Sequence, residues 1–479
     1  MVSGIMTLEP VTPAFVDGLR ALLPSGAFRL PEDRYLTEPR GRWRGQGVVI
    51  APATTAEVAA VVRACAAARV GIVPQSGGTG LVGGQLMPDG PMPVVLSLER
   101  MARVRALYLA ENVLVAEAGV ILAQVQQAAS AAGRLFPLSL ASEGSARIGG
   151  LLATNAGGTG VLRYGNARAL CLGIEAVLAD GTIWNGLTRL HKDNAGYDLR
   201  DLIIGSEGTL AVITAAALRL SHRPAVQGVA LLSVASPAAA LNLLAMARDI
   251  AGEGISAFEL IHRQGIAFLD EAGFALPHPL TPLPDWMVLI ELGLPQGLSA
   301  AAMLEDLFAR ALASGLSQDG VVAQSGAQAR ALWAIRETIP LANRRVGAIS
   351  SHDVSVPLSD IPAMIAAGNR AVAVLGPFRV NCFGHLGDGN LHYNVFPPVG
   401  AKAADFAALR GAVKTAVHDI VHGLGGSIAA EHGVGRLKVE ELERYGDPAK
   451  LALMRSVKAA LDPAGILNPG AVLRTSPHG

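Results

Sequence analysis

His385 and His392 bracket a Gly-Asp-Gly-Asn turn inside the stretch 381–395. Apolar residues on both sides of the turn predict two short strands, and so a hairpin. His392 and Asn394 are two apart and leave the second strand on one face. A hairpin of this kind can bring both imidazoles to one point beside an amide. Further along, Glu431 and His432 open a second glycine-flanked run, ending at Gly435. Two histidines and one carboxylate, His385, His392 and Glu431, make a typical three-ligand metal set with a position left open for substrate or water. The plain alternative is ordinary polar turn residues. One histidine would favour it, whereas two in a glycine-rich hairpin plus a Glu-His pair favour the metal.

Glycine-rich stretches frame this centre. In the run 75–85, Gly78, Gly80 and Gly83 fit the pattern GxGxxG. In a dinucleotide fold that pattern must open a helix, whose N-terminus receives the pyrophosphate. Here Pro88, Pro91 and Pro93 follow and forbid a helix, and the next element is a strand at 94–98. The nicotinamide fold is therefore rejected. A glycine loop between strands still cradles phosphate through bare backbone N–H groups. Nine glycines fall between Gly144 and Gly181, too many for a plain core. Close approach of backbone to a large ligand explains them.

Other elements follow from periodicity and caps. Helices are expected over 13–23, over 56–68 with Thr55 as N-cap, and over 121–132. Strands are expected at 71–74 and 113–119, a hairpin at 172–184 and a strand pair over 201–214. A boundary falls near residue 222, just before Pro224. Residues 225–330 alternate strand and helix, which predicts an α+β domain with an antiparallel sheet and helices on one face. Helix 328–345 carries Trp333, Arg336, Arg344 and Arg345. A solvated helical charge is the plain reading of Arg336.

The chain of 479 residues has 39 residues of each charge sign and no net charge, which speaks against nucleic acid or an anionic membrane as a partner. Cys65, Cys171 and Cys382 are scattered, as in a reducing compartment. With no charge-free apolar run of about 20 residues and no leader-like start, no transmembrane segment and a cytoplasmic setting are expected.

With these residues in place, the chain resembles the flavin-dependent D-2-hydroxy acid dehydrogenases of the vanillyl-alcohol-oxidase type, in particular the D-2-hydroxyglutarate and D-lactate dehydrogenases. The matching motifs lie at 74–84, 144–158, 192–198, 204–210, 385–394, 431–435 and 468–470, in the family's order. The resemblance implies an N-terminal helical segment (1–41), an FAD-binding domain (42–222), an α+β substrate and metal domain with a ferredoxin-like antiparallel sheet (223–455), and a C-terminal segment (456–479) returning to the FAD domain. It places FAD against Pro74, Gln75, Ser76, Gly77, Gly78, Thr79, Gly80, Gly84 and Gln85. It adds Pro137, Ser142, Gly144, Ser145, Ile148, Gly149, Gly150, Thr154, Asn155, Gly157 and Gly158. Glu207, Gly208 and Ile213 would line the adenine side, with Asn468 at the end of the chain. Thr79 stands where covalently flavinylated relatives carry a histidine, so the FAD is expected to be non-covalent.

The resemblance also assigns His385, His392 and Glu431 to a divalent metal, zinc or manganese. It makes Arg336 a substrate-carboxylate clamp, with Asn394 and His432 beside it. His432 would take the hydroxyl proton, since histidine ordinarily titrates near neutrality. Hydroxyglutarate enzymes carry a Thr and a Lys that help bind the distal acid, and here Pro340 and Ser351 replace them. D-lactate, glycolate or another small or apolar 2-hydroxy acid is thus a rival to D-2-hydroxyglutarate. An oxygen-using oxidase, and a metal-dependent hydrolase or flavin-storage protein, are further alternatives. An external acceptor such as an electron-transfer flavoprotein would collect the electrons. Homodimers are common in the family, but no patch in the sequence marks an interface.

Overall fold

The computed structural model describes residues 7–474, so the outermost ends of the first and last expected segments lie outside the described residues. Two compact units divide the chain. Among the described residues, the first comprises 7–158, 165–223 and 431–474, and the second 159–164 and 224–430. The chain thus re-enters the first unit at Glu431, earlier than the expected 456. A short excursion at 159–164, not expected from the sequence, belongs to the second.

In the first unit, Val48–Ile50, Val94–Ser97 and Ile72–Gln75 pair in parallel, with Phe28–Arg29 antiparallel at the edge. A second, antiparallel sheet orders Val104–Tyr108, Val113–Glu117, Val212–Arg219, Cys171–Val177 and Ile183–Gly186. Its last pair is the expected hairpin, turning through Gly181 at φ +81°. The helix Thr55–Ala68 is capped by Thr54, whose hydroxyl accepts from the Glu57 N–H at 3.1 Å. The expected cap, Thr55, already lies inside the helix and donates to Glu175 at 2.6 Å. The expected strand at 201–204 is a helix, Leu199–Ile203, because the Asp198 side chain accepts from the Asp201 N–H at 3.0 Å and so starts a helical turn. At the far end of the chain, Leu467 bridges to Ile72 and joins the same core.

The second unit is built on a seven-stranded sheet, antiparallel throughout, ordered Gly320–Val322, Val226–Val234, Trp286–Leu294, Ile255–His262, Arg379–His385, Asn390–Phe396 and Ser350–Ser355. Val229, Leu231, Met287 and Leu289 share a core with Leu332 and Ile335 of the helix Gly326–Val346. Gly228 instead faces Ala300 and Leu304 of the helix Ala300–Ala313. Neighbouring strand residues point to opposite faces, so helices cover both faces of this sheet, not the one that was expected. One helical stretch among the described residues, Leu358–Leu375, is long and apolar enough to cross a membrane. Its Met364, Ile365 and Val372 are buried, and Gly368 lies against Tyr393.

His262 caps the helix Arg263–Glu271, accepting from the Gln264 N–H at 3.2 Å, and its ring lies 4.5 Å from that of Trp286. Burial lowers its pKa to about 4. The unfolded chain binds this proton below about 6.5, the folded protein only near 4. Stability should therefore fall as pH drops from about 6.5 to 4, with no further loss from this residue below that. Denaturant midpoints of His262→Gln across this range should lack that part of the slope.

Candidate functional site

After the strand Ile72–Gln75 the chain lines an open cleft, all of whose walls belong to the first unit. Pro74, Gln75, Ser76, Gly77, Gly78, Thr79, Gly80, Gly84 and Gln85 form one side, and Gly149, Gly150, Thr154, Glu207, Gly208 and Ile213 also line it. Glycine is required at two points of the loop. A Cβ on Gly77 would fall 2.7 Å from the Ser145 carbonyl oxygen, and Gly78 sits at φ +67°. Gln85 pins the loop by donating to the Gly80 carbonyl at 2.7 Å, and Ser76 donates to Ala118 at 2.9 Å. Loop backbone and small residues therefore face the space, as a phosphate-bearing ligand needs.

Several residues expected against the cofactor are not part of the lining: Pro137, Ser142, Gly144, Ser145, Ile148, Asn155, Gly157, Gly158 and Asn468. Some fold the chain upon itself instead. The Ser142 carbonyl closes a turn with the Ser145 and Ala146 N–H groups. Asn155, at φ +50°, accepts from the Arg168 N–H at 2.9 Å. A Cβ on Gly158 would meet Ser139 at 2.0 Å. Asn468 is buried behind the wall, donating to the Gly84 and Glu207 carbonyls at 2.8 Å each. The lining also holds a residue the sequence reading missed. Arg147 donates to the Glu99 and Gly119 carbonyls at 3.2 and 2.6 Å, and burial holds its pKa below the usual value. Its position inside the Ser-Ala-Arg-Ile-Gly-Gly run was the available signal for a cation in this wall.

His432 lines the same cleft. Its loop is tied to the wall by Glu207, whose carboxylate accepts the Val434 and Gly435 N–H groups at 2.7 and 2.8 Å. Burial raises the Glu207 pKa, and these N–H groups offset part of the rise.

The second unit gathers another cluster. The expected hairpin forms from Arg379–His385 and Asn390–Phe396, pairing Phe383 with His392 and Asn381 with Asn394. Alternation then puts Asn381, Phe383, His385, His392 and Asn394 on one face. The rings of His385 and His392 are 5.5 Å apart and nearly perpendicular. Asp353 lies opposite His392 on the neighbouring strand, its carboxylate 3.8 Å from His392 Nδ1.

At the centre of this face is Glu259, which the sequence reading did not single out. One carboxylate oxygen accepts from His385 Nδ1 at 2.6 Å, and the other from Arg336 Nε and Nη2 at 2.8 Å each. All three residues are buried. Burial alone would raise the Glu259 pKa, but its bonded partners His385 and Arg336 outweigh it and bring it to about 2. Arg336 lies 4.7 Å above the Phe383 ring, so it is a buried ion-pair residue and not a solvated helical charge. With Nδ1 bonded to the Glu259 carboxylate, His385 has the second partner usual for a carboxylate-oriented histidine ligand. The donor chemistry of His385 and His392 thus fits a divalent metal. Glu431 follows Ala430, whose N–H points to the Asp353 carbonyl at 3.4 Å.

Around Arg336 the helix is altered by Pro340, which has no N–H to give to the Arg336 carbonyl. Ser351 is exposed and pairs with Asn394 in the sheet. Arg345 donates to the Ala272 carbonyl at 2.8 Å and lies over Phe274.

Residues 47–186 match a family model described as FAD binding domain, and 223–472 one described as FAD linked oxidases, C-terminal domain. The chain is 38% identical to the bovine (Bos taurus) protein named D-2-hydroxyglutarate dehydrogenase, mitochondrial, over 95% of this chain and 83% of that one. It is 38% identical to D-2-hydroxyglutarate dehydrogenase of Xanthomonas citri pv. viticola over 91% of each. Among solved structures, p-cresol methylhydroxylase superposes with a TM-score of 0.76 over 98% of this chain and 99% of that one, at 17% identity, a likeness of fold. The fold is accordingly α+β of the vanillyl-alcohol-oxidase type. The cytoplasmic expectation is corrected by these matches, because the bovine relative is named mitochondrial. Buried thiols and a neutral surface suit any reducing aqueous compartment, so composition had no power to choose one.

Proposed function

The chain belongs to the FAD-linked D-2-hydroxy acid dehydrogenases, the family of the D-2-hydroxyglutarate dehydrogenases, and from that premise we propose how its residues divide the work. The observation that carries the reading is the buried Glu259, which holds a guanidinium with one oxygen and orients an imidazole with the other. Residues 74–85, 149–154 and 207–213 would hold FAD without a covalent bond, and it would supply the hydride acceptor. His385, His392 and Glu431 would hold a divalent metal, zinc or manganese, which would supply Lewis acidity towards the substrate hydroxyl. Arg147, which lines the cleft, would offer positive charge to the pyrophosphate. Arg336 clamps a substrate carboxylate through N–H groups that Glu259 leaves available. Asn394 donates to the substrate, and His432 takes the hydroxyl proton as the Cα–H leaves. The product is the 2-oxo acid, and the electrons pass to an external acceptor such as an electron-transfer flavoprotein.

The substrate class is a D-2-hydroxy acid of the hydroxyglutarate type. A second reading, a smaller monoacid such as D-lactate, is favoured by one observation: Pro340 and the exposed Ser351 bring no charge, and Arg345 is engaged with Ala272.

Anaerobic bleaching of the flavin by D-2-hydroxyglutarate, malate, lactate and mandelate tests this, with L-enantiomers as controls and a chelator arm. Bleaching by D-acids alone, abolished by the chelator and restored by zinc or manganese, is expected. Preference for lactate selects the second reading. No bleaching by any D-acid overturns the proposal.

A further inference from the structure

We propose that Glu207 is a positioning residue for the reaction, holding the loop that presents His432 to the cleft. The inference rests on the reading of His432 as the base. His432 has only small neighbours on its C-terminal side, and Gly433 and Gly435 sit at φ +77° and +53°. Such a backbone does not hold its own shape, since glycine adopts positive φ freely and has many alternatives. In this conformation successive N–H groups point inwards and form a small anion-binding concavity. Here the anion is internal. The Glu207 carboxylate takes the Val434 N–H on one oxygen and the Gly435 N–H on the other. The fit leaves no room for change, because a Cβ on Gly433 would fall 2.7 Å from one of those oxygens.

Glu207 is itself fixed. It adopts φ +53°, a conformation that a side-chain-bearing residue rarely takes, and its carbonyl accepts from Asn468. Strain of this kind persists where the surroundings over-determine it, and it concentrates at functional sites. On the other side of the loop, the Arg436 and Leu437 N–H groups both donate to the Val82 carbonyl, at 2.9 and 3.1 Å. Arg436 reaches the Gly83 and Gly84 carbonyls at 3.3 and 3.2 Å. The His432 loop is therefore clamped between the glycine loop and a buried carboxylate, and the clamp sets where its imidazole sits in the cleft.

The holoenzyme tests this in two ways. In the wild type, hydrogen exchange should find the Val434 and Gly435 amides protected, and in Glu207→Gln, where an amide N–H2 replaces one acceptor, exchanging at least about tenfold faster. Flavin reduction in Glu207→Gln, normalised to bound FAD, should slow by up to about 100-fold, with KM little changed. In a His432→Gln background the same substitution should cost no more than about twofold, because a residue acting through His432 has nothing left to position. Equal costs in both backgrounds would overturn the proposal while leaving His432 as the base. An undiminished rate in His432→Gln alone would remove the base assignment and the proposal with it. Should Glu207→Gln fail to fold or to hold flavin, the wild-type protein still decides, since unprotected amides at 434 and 435 would show that no clamp exists.

Discussion

Replacing His432 with Gln is expected to slow flavin reduction by D-2-hydroxy acid by about 10²–10⁴-fold, with the FAD still bound. That range corresponds to roughly 3–5 kcal/mol of barrier. The substitution keeps size and hydrogen bonding but removes the ability to accept a proton. His432 lines the cleft in which the glycine loop and Arg147 also lie, so it stands among the residues proposed for the cofactor. Anaerobic stopped-flow bleaching gives the rate directly. A substitution that altered only substrate affinity would raise KM and leave the limiting rate in place. A rate within a few-fold of wild type would mean that the proton leaves by another route.

Glu259→Leu should be the most damaging change in the second unit. It strips the carboxylate from two buried partners at once. Arg336 cannot shed its charge, so it would remain buried without the carboxylate that now neutralises it. Leaving such a charge uncompensated costs about 3–5 kcal/mol, readable as a lowered denaturation midpoint. His385 loses the acceptor that fixes its Nδ1, and metal affinity should fall about 10–100-fold, the range for removing such an orienting partner. Glu259→Gln preserves volume and one acceptor, and should retain more stability than Glu259→Leu while still weakening metal. Full stability of Glu259→Leu would mean that Arg336 finds another carboxylate or water.

Much of the local frame around the candidate site was legible in the sequence. The hairpin and its two histidines followed from apolar alternation around a turn, because strand period and turn chemistry are local. The proline-rich continuation excluded a helix after the glycine loop. Where local signals were closely matched, the reading slipped. Thr54 and Thr55 are adjacent and equally able to cap, and the choice depended on which one Glu175 engaged. The 201–204 run was apolar enough for a strand, but one Asp side chain started a helix. Of the residues assigned to the cofactor, those whose backbone faces open space line the cleft, whereas Asn155 and Gly158 serve turns and close chain contacts that composition does not distinguish.

Sequence alone determined the residue types and the local frames: glycine loops without a helix, two imidazoles on one hairpin, a carboxylate beside a third. Only the tertiary structure decided which charges meet. Glu259 is 77 residues from Arg336 and 126 from His385, and it joins them because strand register sets Glu259 opposite His385. Glu207 reaches the His432 loop across more than 200 residues. Register and burial are non-local. They follow from how whole sheets close over their cores, and no window along the chain contains them.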